Sequence, residues 1–411
     1  MNADEAGGAA ARVARESYGR LVAFLSARTR DVAGAEDALA EAFEAALCTW
    51  PADGVSDNPD AWLLTAARRR QTDAERRQQT RKSGEEHVQH MSNEVAAMAD
   101  ARDAIPDRRL ALMFACAHPA IESSLRPPLI LQTIVGLTAE DIAAAFLVAP
   151  GTMGQRLARA KNRIRDAGIP FRVPEPEELP ERLAAVFDAI YAAYTKGWNE
   201  VGEDAMPALA DEAIWLGRLV ASLLPAEPEA KGMLALMLYT AARRAARRDA
   251  ANAYVPLEHQ DASLWDVSLL RAAEQLLRQA SATGPSGRYQ IEAAIQSAHV
   301  ARRLSGAATW PAVVALYGRL FALTGSPVVT LNRAVARAEV DGARAALADL
   351  APFATDKRMQ SYQPYWAAMG HLLARAGDAA GAAEALIVAI GLTTDGGAKA
   401  YLQEQLRLLR R

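Results

Sequence analysis

Alanine and leucine recur at spacings of three and four along nearly the whole chain, and alternating β-branched runs are almost absent. That spacing puts apolar side chains on one face of a 3.6-residue helix, so the pattern predicts an all-α fold from end to end. Two stretches interrupt it. Residues 83–105 are polar and net acidic, and in residues 170–180 the prolines Pro170, Pro174, Pro176 and Pro180 bracket an acidic run. Neither can bury a helical face, so both read as linkers. They delimit two small units, 10–82 and 106–169, and a long third unit, 181–411, holding most of the core.

The third unit carries an internal period. Helices are expected to end at Gly306, Gly342 and Gly377, at intervals close to the roughly 34 residues of a tetratricopeptide repeat. The last copy is the clearest: Trp366, Gly370, Leu373, Gly377, Asp378, Ala382, Leu386 and Ala389 fall at that repeat's large and small packing positions. The alternative is a plain helical bundle.

Within the second unit, Gly136-Leu137-Thr138-Ala139-Glu140-Asp141-Ile142 reads as a turn and a helix start, with Thr138 and Asp141 spaced as a capping box. Ile142, Ala143 and Phe146 would face inward, Leu147 and Val148 would turn, and Pro150 suits the first position of a second helix. This is a helix-turn-helix pattern. In the second helix Met153, Leu157, Ala160 and Ile164 share an apolar stripe, whereas Thr152, Gln155, Arg156, Arg159 and Arg163 share a polar one, with Lys161 and Arg165 read as flanking it. A major-groove helix needs short polar or amide groups at its N-terminal end and arginines farther along.

Overall charge adds little. Against 49 acids stand 46 Lys plus Arg, a net −3 over 411 residues, so no whole-molecule field draws the chain to nucleic acid or membrane. Locally the balance breaks. The run RRRQTDAERRQQTRK at 68–82 sets seven cations against two acids, on a helix expected to start near Pro59 and to bury Trp62, Leu63 and Ala66. Such a face can neutralise phosphates or simply meet solvent. In the first unit Asp31, Glu36, Asp37, Glu41 and Glu44 interleave with Ala35, Leu39, Phe43 and Leu47, which puts Leu39, Phe43, Ala46 and Leu47 inward and the carboxylates outward.

Two cysteines, Cys48 and Cys116, exclude a disulfide scaffold and fit a reducing cytoplasm. No apolar run reaches the roughly 18 residues of a membrane span, so a cytoplasmic protein with no membrane contact is expected. His87-x-x-His90 and Cys116-x-His118 match no zinc spacing. No phosphate loop or nucleophile motif occurs, so neither metal, cofactor nor enzymatic activity is expected.

The order acidic helix, Arg-rich helix, acidic linker, helix-turn-helix resembles a group 4 RNA polymerase sigma factor of the extracytoplasmic-function type. AGAEDALAEAF at the end of 28–43 is similar to that family's regions 2.1 to 2.2, NPDAWLLTAARRRQTDAERR at 58–77 to regions 2.3 to 2.4, and 137–164, with GTMGQRLARAKNRI, to region 4.2. The remainder is similar to the tetratricopeptide-like C-terminal extension of one subgroup. The resemblance implies that Asp31, Glu36, Asp37, Glu41 and Phe43 dock on the β′ coiled coil of core polymerase, with the β flap as a second contact. It implies that Arg68, Arg69, Arg70, Arg76 and Arg77 sit at the −10 element, and that Thr152, Gln155, Arg156 and Arg159 read the −35 element with Lys161 and Arg163 on its backbone. Residues 83–105 would thread through polymerase, and the extension would regulate, through another protein or an intramolecular contact. A second reading is a polymerase-independent helix-turn-helix regulator with a repeat-based sensor.

Overall fold

The computed structural model describes residues 3–79, 107–146, 148–175, 177–199, 207–250, 253–284, 286–393 and 395–409. Helices make up the fold, and the described residues contain no strand, only an isolated bridge between Arg248 and Tyr254. The expected linker 83–105 lies outside the described residues. The chain divides into two compact units, 1–216 and 217–411.

The first unit opens with three mutually packed helices, α1 (Ala3–Thr29), α2 (Val32–Asp53) and α3 (Pro59–Gln79). Local chemistry sets their ends. Arg30 turns the chain with a positive φ of 58°, the Asp31 carboxylate accepts the Gly34 N–H to cap α2, and Asn58 caps α3 by accepting from Ala61 N–H at 3.1 Å. Leu21, Val22, Leu25, Val32, Leu39, Ala42, Trp50, Leu63 and Ala67 fill the core between them. Trp62 is only half-buried, its ring edge-on to Trp50 at 5.6 Å. Leu47, expected inward, is 49% exposed, because the buried stripe of α2 runs through Ala35, Ala42, Ala46 and Trp50 and leaves it to one side.

A second group of helices follows: α4 (Arg109–Cys116), α5 (Arg126–Ile130) running into a π-helical turn (Leu131–Val135), α6 (Ala139–Ala145) and α7 (Pro150–Asp166). The 170–180 segment does not end the packing. Helix α8 (Leu179–Asn199) lies on α4 and α5, and Arg182 donates to the Phe114 carbonyl at 2.7 Å. Both groups, with α8, belong to the first compact unit, whose limit falls inside α9 (Pro207–Leu223).

The second unit continues with α10 (Pro228–Ala241), α11 (Val267–Ser281), α12 (Arg288–Ser305), α13 (Trp310–Thr324), α14 (Pro327–Asp341), α15 (Ala343–Leu350), α16 (Lys357–Gln360), α17 (Gln363–Ala376), α18 (Ala379–Leu392) and α19 (Gly396–Leu409). Neighbours in sequence are mostly neighbours in space, the stacking logic of helical repeats. Helices end at Gly306 and Gly377 in left-handed conformations, and at Gly342 with φ of 85°. In the α17–α18 hairpin Gly370 approaches Leu386, and Ala382, Leu386 and Ala389 are buried. Leu372, rather than the expected Leu373, fills the adjoining core. The loop after α10 meets the start of α19: Arg248 holds Asp395 through two hydrogen bonds of 3.2 and 2.5 Å, and Tyr254 packs edge-on to Tyr401.

Candidate nucleic-acid interface

The helix-turn-helix forms as its residues predict. Thr138 Oγ1 accepts the Asp141 N–H at 3.1 Å while Asp141 Oδ2 accepts the Thr138 N–H at 3.2 Å, a reciprocal cap that leaves no orphan donor at those positions. Ile142 and Ala143 are buried, and Pro150 occupies the first turn of α7. Leu147 lies outside the described residues. Met153, Leu157, Ala160 and Ile164 anchor α7. Thr152, Gln155, Arg159 and Arg163 are exposed along one stripe. Arg156 shares that stripe but reaches back, donating to Glu122 and to Ser124 Oγ at 3.2 Å each. Lys161 does not share it. Set roughly half a turn from Thr152, it is buried and paired with Glu36 of α2.

On α3, Arg69 and Arg70 are exposed, and Arg70 pairs loosely with Glu41 at 3.4 Å. Arg68 lies over the Phe24 ring at 4.8 Å. Arg76 and Arg77 continue the helix backbone, with their side chains outside the described residues.

The acidic face of α2 splits into two. Asp37 and Glu41 are exposed, whereas Phe43 is half-buried, Asp31 caps the helix, and Glu36 is turned toward α7. Burial pushes the Glu36 carboxyl above its usual range, opposed by the charge and hydrogen bond of Lys161. Tyr18 of α1 is pushed up as well, by burial and then by Glu36 and Asp37. Sequence reading gave Tyr18 no role, since a lone tyrosine carries no motif.

Among the described residues no group of three His, Cys, Asp or Glu side chains could hold a metal ion. His87 and His90 lie outside that set. Cys116 is buried against Thr133 Oγ1 at 3.4 Å, and the His118 ring accepts the Ala120 N–H. No described helix is long and apolar enough to cross a membrane.

Residues 13–81, the three-helix module with its acidic and arginine-rich faces, match the sigma-70 region 2 family. That match supports a sigma factor role in transcription initiation, with binding to core RNA polymerase and promoter DNA and no catalysis of its own. Residues 182–281 match a family of unknown function (DUF6596). Over 378 residues the chain is 39% identical to an uncharacterized protein, R00370, of Rhizobium meliloti strain 1021, covering 90% of this chain and 89% of that one. The chain belongs to the same family as that protein. No solved structure matches it.

Proposed function

We propose that the chain is an extracytoplasmic-function sigma factor that reads a two-element promoter and is regulated by its C-terminal helices. The observation that carries this reading is the second DNA-reading device beside region 2: a reciprocally capped helix-turn-helix whose exposed stripe holds Thr152, Gln155, Arg159 and Arg163. Such a stripe offers short polar groups for base edges and arginines for guanine or phosphate, as a −35 reader requires. Arg156 joins it once released from Glu122, and Arg163 contacts the backbone.

Arg69 and Arg70, with Arg68, Arg76 and Arg77 on the same helix, would hold the melted −10 strand through phosphate pairing and stacking. Asp37 and Glu41, with Asp31, Glu36 and Phe43, would form the surface for the β′ coiled coil, and the helix-turn-helix module would meet the β flap. Two weak sites fixed on one polymerase act as a bivalent binder, so a chain of net −3 need not bind DNA tightly alone. The tetratricopeptide-like extension, stacked helix on helix, offers the regulatory surface.

Reconstitution with purified core polymerase on a cognate promoter tests this. Wild type should direct initiation, and Asp37→Lys should lose it through weaker binding to core. A chain that binds its site equally well without polymerase, and whose DNA affinity ignores Asp37→Lys, would instead be the autonomous regulator.

A further inference from the structure

Between α10 and α11 runs a segment, 244–266, whose described residues form nothing longer than single turns of 3-10 helix. It is nonetheless held in place. The Val255 N–H donates to the Arg247 carbonyl at 2.8 Å and the Asp249 N–H to the Ala253 carbonyl at 3.1 Å, which folds 247–255 back on itself and sets Arg248 beside Tyr254. From there the segment meets three helices of the array. Tyr254 stands edge-on to Tyr401 of α19 with ring centroids 6.0 Å apart, and Arg303 of α12 donates to the Gln260 carbonyl at 2.8 Å. Glu258 lies close enough to Tyr401 and to His371 of α17 for its charge to raise both, adding to the desolvation that chiefly raises Tyr401 and opposing the desolvation that chiefly lowers His371. Helices α12 and α17 each open a hairpin, α12–α13 and α17–α18, and α19 follows the second. Successive hairpins of a stacked array present such a shared side to their partners. Here that side holds part of the chain itself.

We propose that residues 253–260 are an internal occupant of a peptide-binding face on α12, α17 and α19, and that an extended acidic segment of a partner protein, carrying an aromatic residue, displaces them. This deepens the reading of the C-terminal helices as a regulatory surface and rests on it. Two observations favour exchange over a permanent fit. The internal segment leaves polar groups unmatched: Gln260 is only 4% exposed, yet its Oε1 has no partner, and the buried Arg303 Nε has none either. Such orphans cost stability that a better-matched segment recovers. Beside the segment the face is still open. A cleft of about 400 Å³ lies between α17, α18 and α19, with His371, Arg375, Tyr401 and Gln405 set over Leu386 and Leu408, and no carboxylate lines it among the described residues. His371 and Tyr401 border both the cleft and the internal segment, so an entering peptide meets the two together. Its aromatic ring suits Tyr401, and its carboxylates suit Arg303 and Arg375, the latter braced by Glu339 of α14. The apparent affinity for the partner is then lowered by the fraction of chains in which 253–260 are in place.

A fluorescent peptide with the sequence of residues 253–261, carrying Tyr254, Glu258 and Asp261, probes this face on the full chain by anisotropy, with neither polymerase nor DNA present. Wild type should bind it weakly, because its own segment competes at high effective concentration. Glu258→Lys, at an exposed position, sets a cation toward His371 and Arg375 and should loosen the segment without unfolding the chain. That variant should bind the peptide about tenfold more tightly than wild type, and Tyr254→Ala should act in the same direction. Adding Arg303→Ala to Glu258→Lys should remove the gain. A peptide with lysine in place of both carboxylates should bind neither wild type nor the loosened chains. Equal affinity for wild type and both loosened chains, or binding to none of them, overturns the internal occupant and leaves the sigma reading standing. Retained binding of the lysine peptide overturns the acidic partner. Failure to direct initiation in the reconstitution above would instead remove the regulatory reading, while the peptide affinities still decide whether 253–260 occupy a binding face.

Discussion

Lys161 lies on the same helix as Thr152 and Arg159, yet an offset of roughly half a turn sends it to Glu36 instead of solvent. Helical spacing carries that offset and the exposure of Leu47, yet the polar pattern of α7 set Lys161 beside the exposed stripe and the apolar pattern of α2 set Leu47 inward, and the structure overturns both. The partner was not legible, because Glu36 and Lys161 stand far apart in sequence and nothing local pairs them. At this scale Cys48 should react promptly with a thiol reagent, while Cys116, buried and with its thiol pushed up to about 12 by burial, should stay silent until the chain unfolds. His299 gives a pH dependence. Burial first, then Arg302 and Arg243, depresses it to about 4. The unfolded ring, near 6.5, takes a proton that the folded ring refuses. The stabilisation is therefore complete above that value and is lost as pH falls toward 4, by up to about 3 kcal/mol. Thermal melts across that window should show the loss, and His299→Leu should flatten it.

The helices themselves were written in the three-and-four spacing, and the ends at Gly306, Gly342 and Gly377 in their glycines, because both signals act within a few residues. The capping box was legible for the same reason. Thr138→Ala should cost about 1 kcal/mol and fray the start of α6, seen as faster amide exchange there. The packing of α8 on α4 and α5 was hidden, since prolines before a helix say where it begins and not what it lies against. Gly370 shows how packing overrides propensity. Alanine there would gain about 1 kcal/mol as a helix former but would press a methyl within 2.8 Å of Leu386 Cγ, an overpacking worth about 1–3 kcal/mol. Gly370→Ala should therefore lower the melting temperature of the second unit.

Across the whole molecule, a net charge of −3 with local cationic faces predicts DNA binding that is weak alone and strongly salt-dependent. With core polymerase present, replacing Arg163 by Gln should weaken promoter binding similarly across sequences and reduce the slope of log affinity against log salt by about one. Replacing Gln155 by Ala should instead relax sequence preference at one −35 position, read by binding to a promoter series.

Within the second unit, the Arg248–Asp395 clasp joins residues separated by 147 positions. A helical array with loose ends can shed its last element and lose one increment of stability. This one is seamed into a hoop, so Asp395→Ala, which breaks the clasp and removes the acceptor of the Gly397 and Ala398 N–H groups, should loosen α10 and α19 together. Hydrogen exchange would register the damage at both ends of the unit, and Arg248→Ala should reproduce it in miniature.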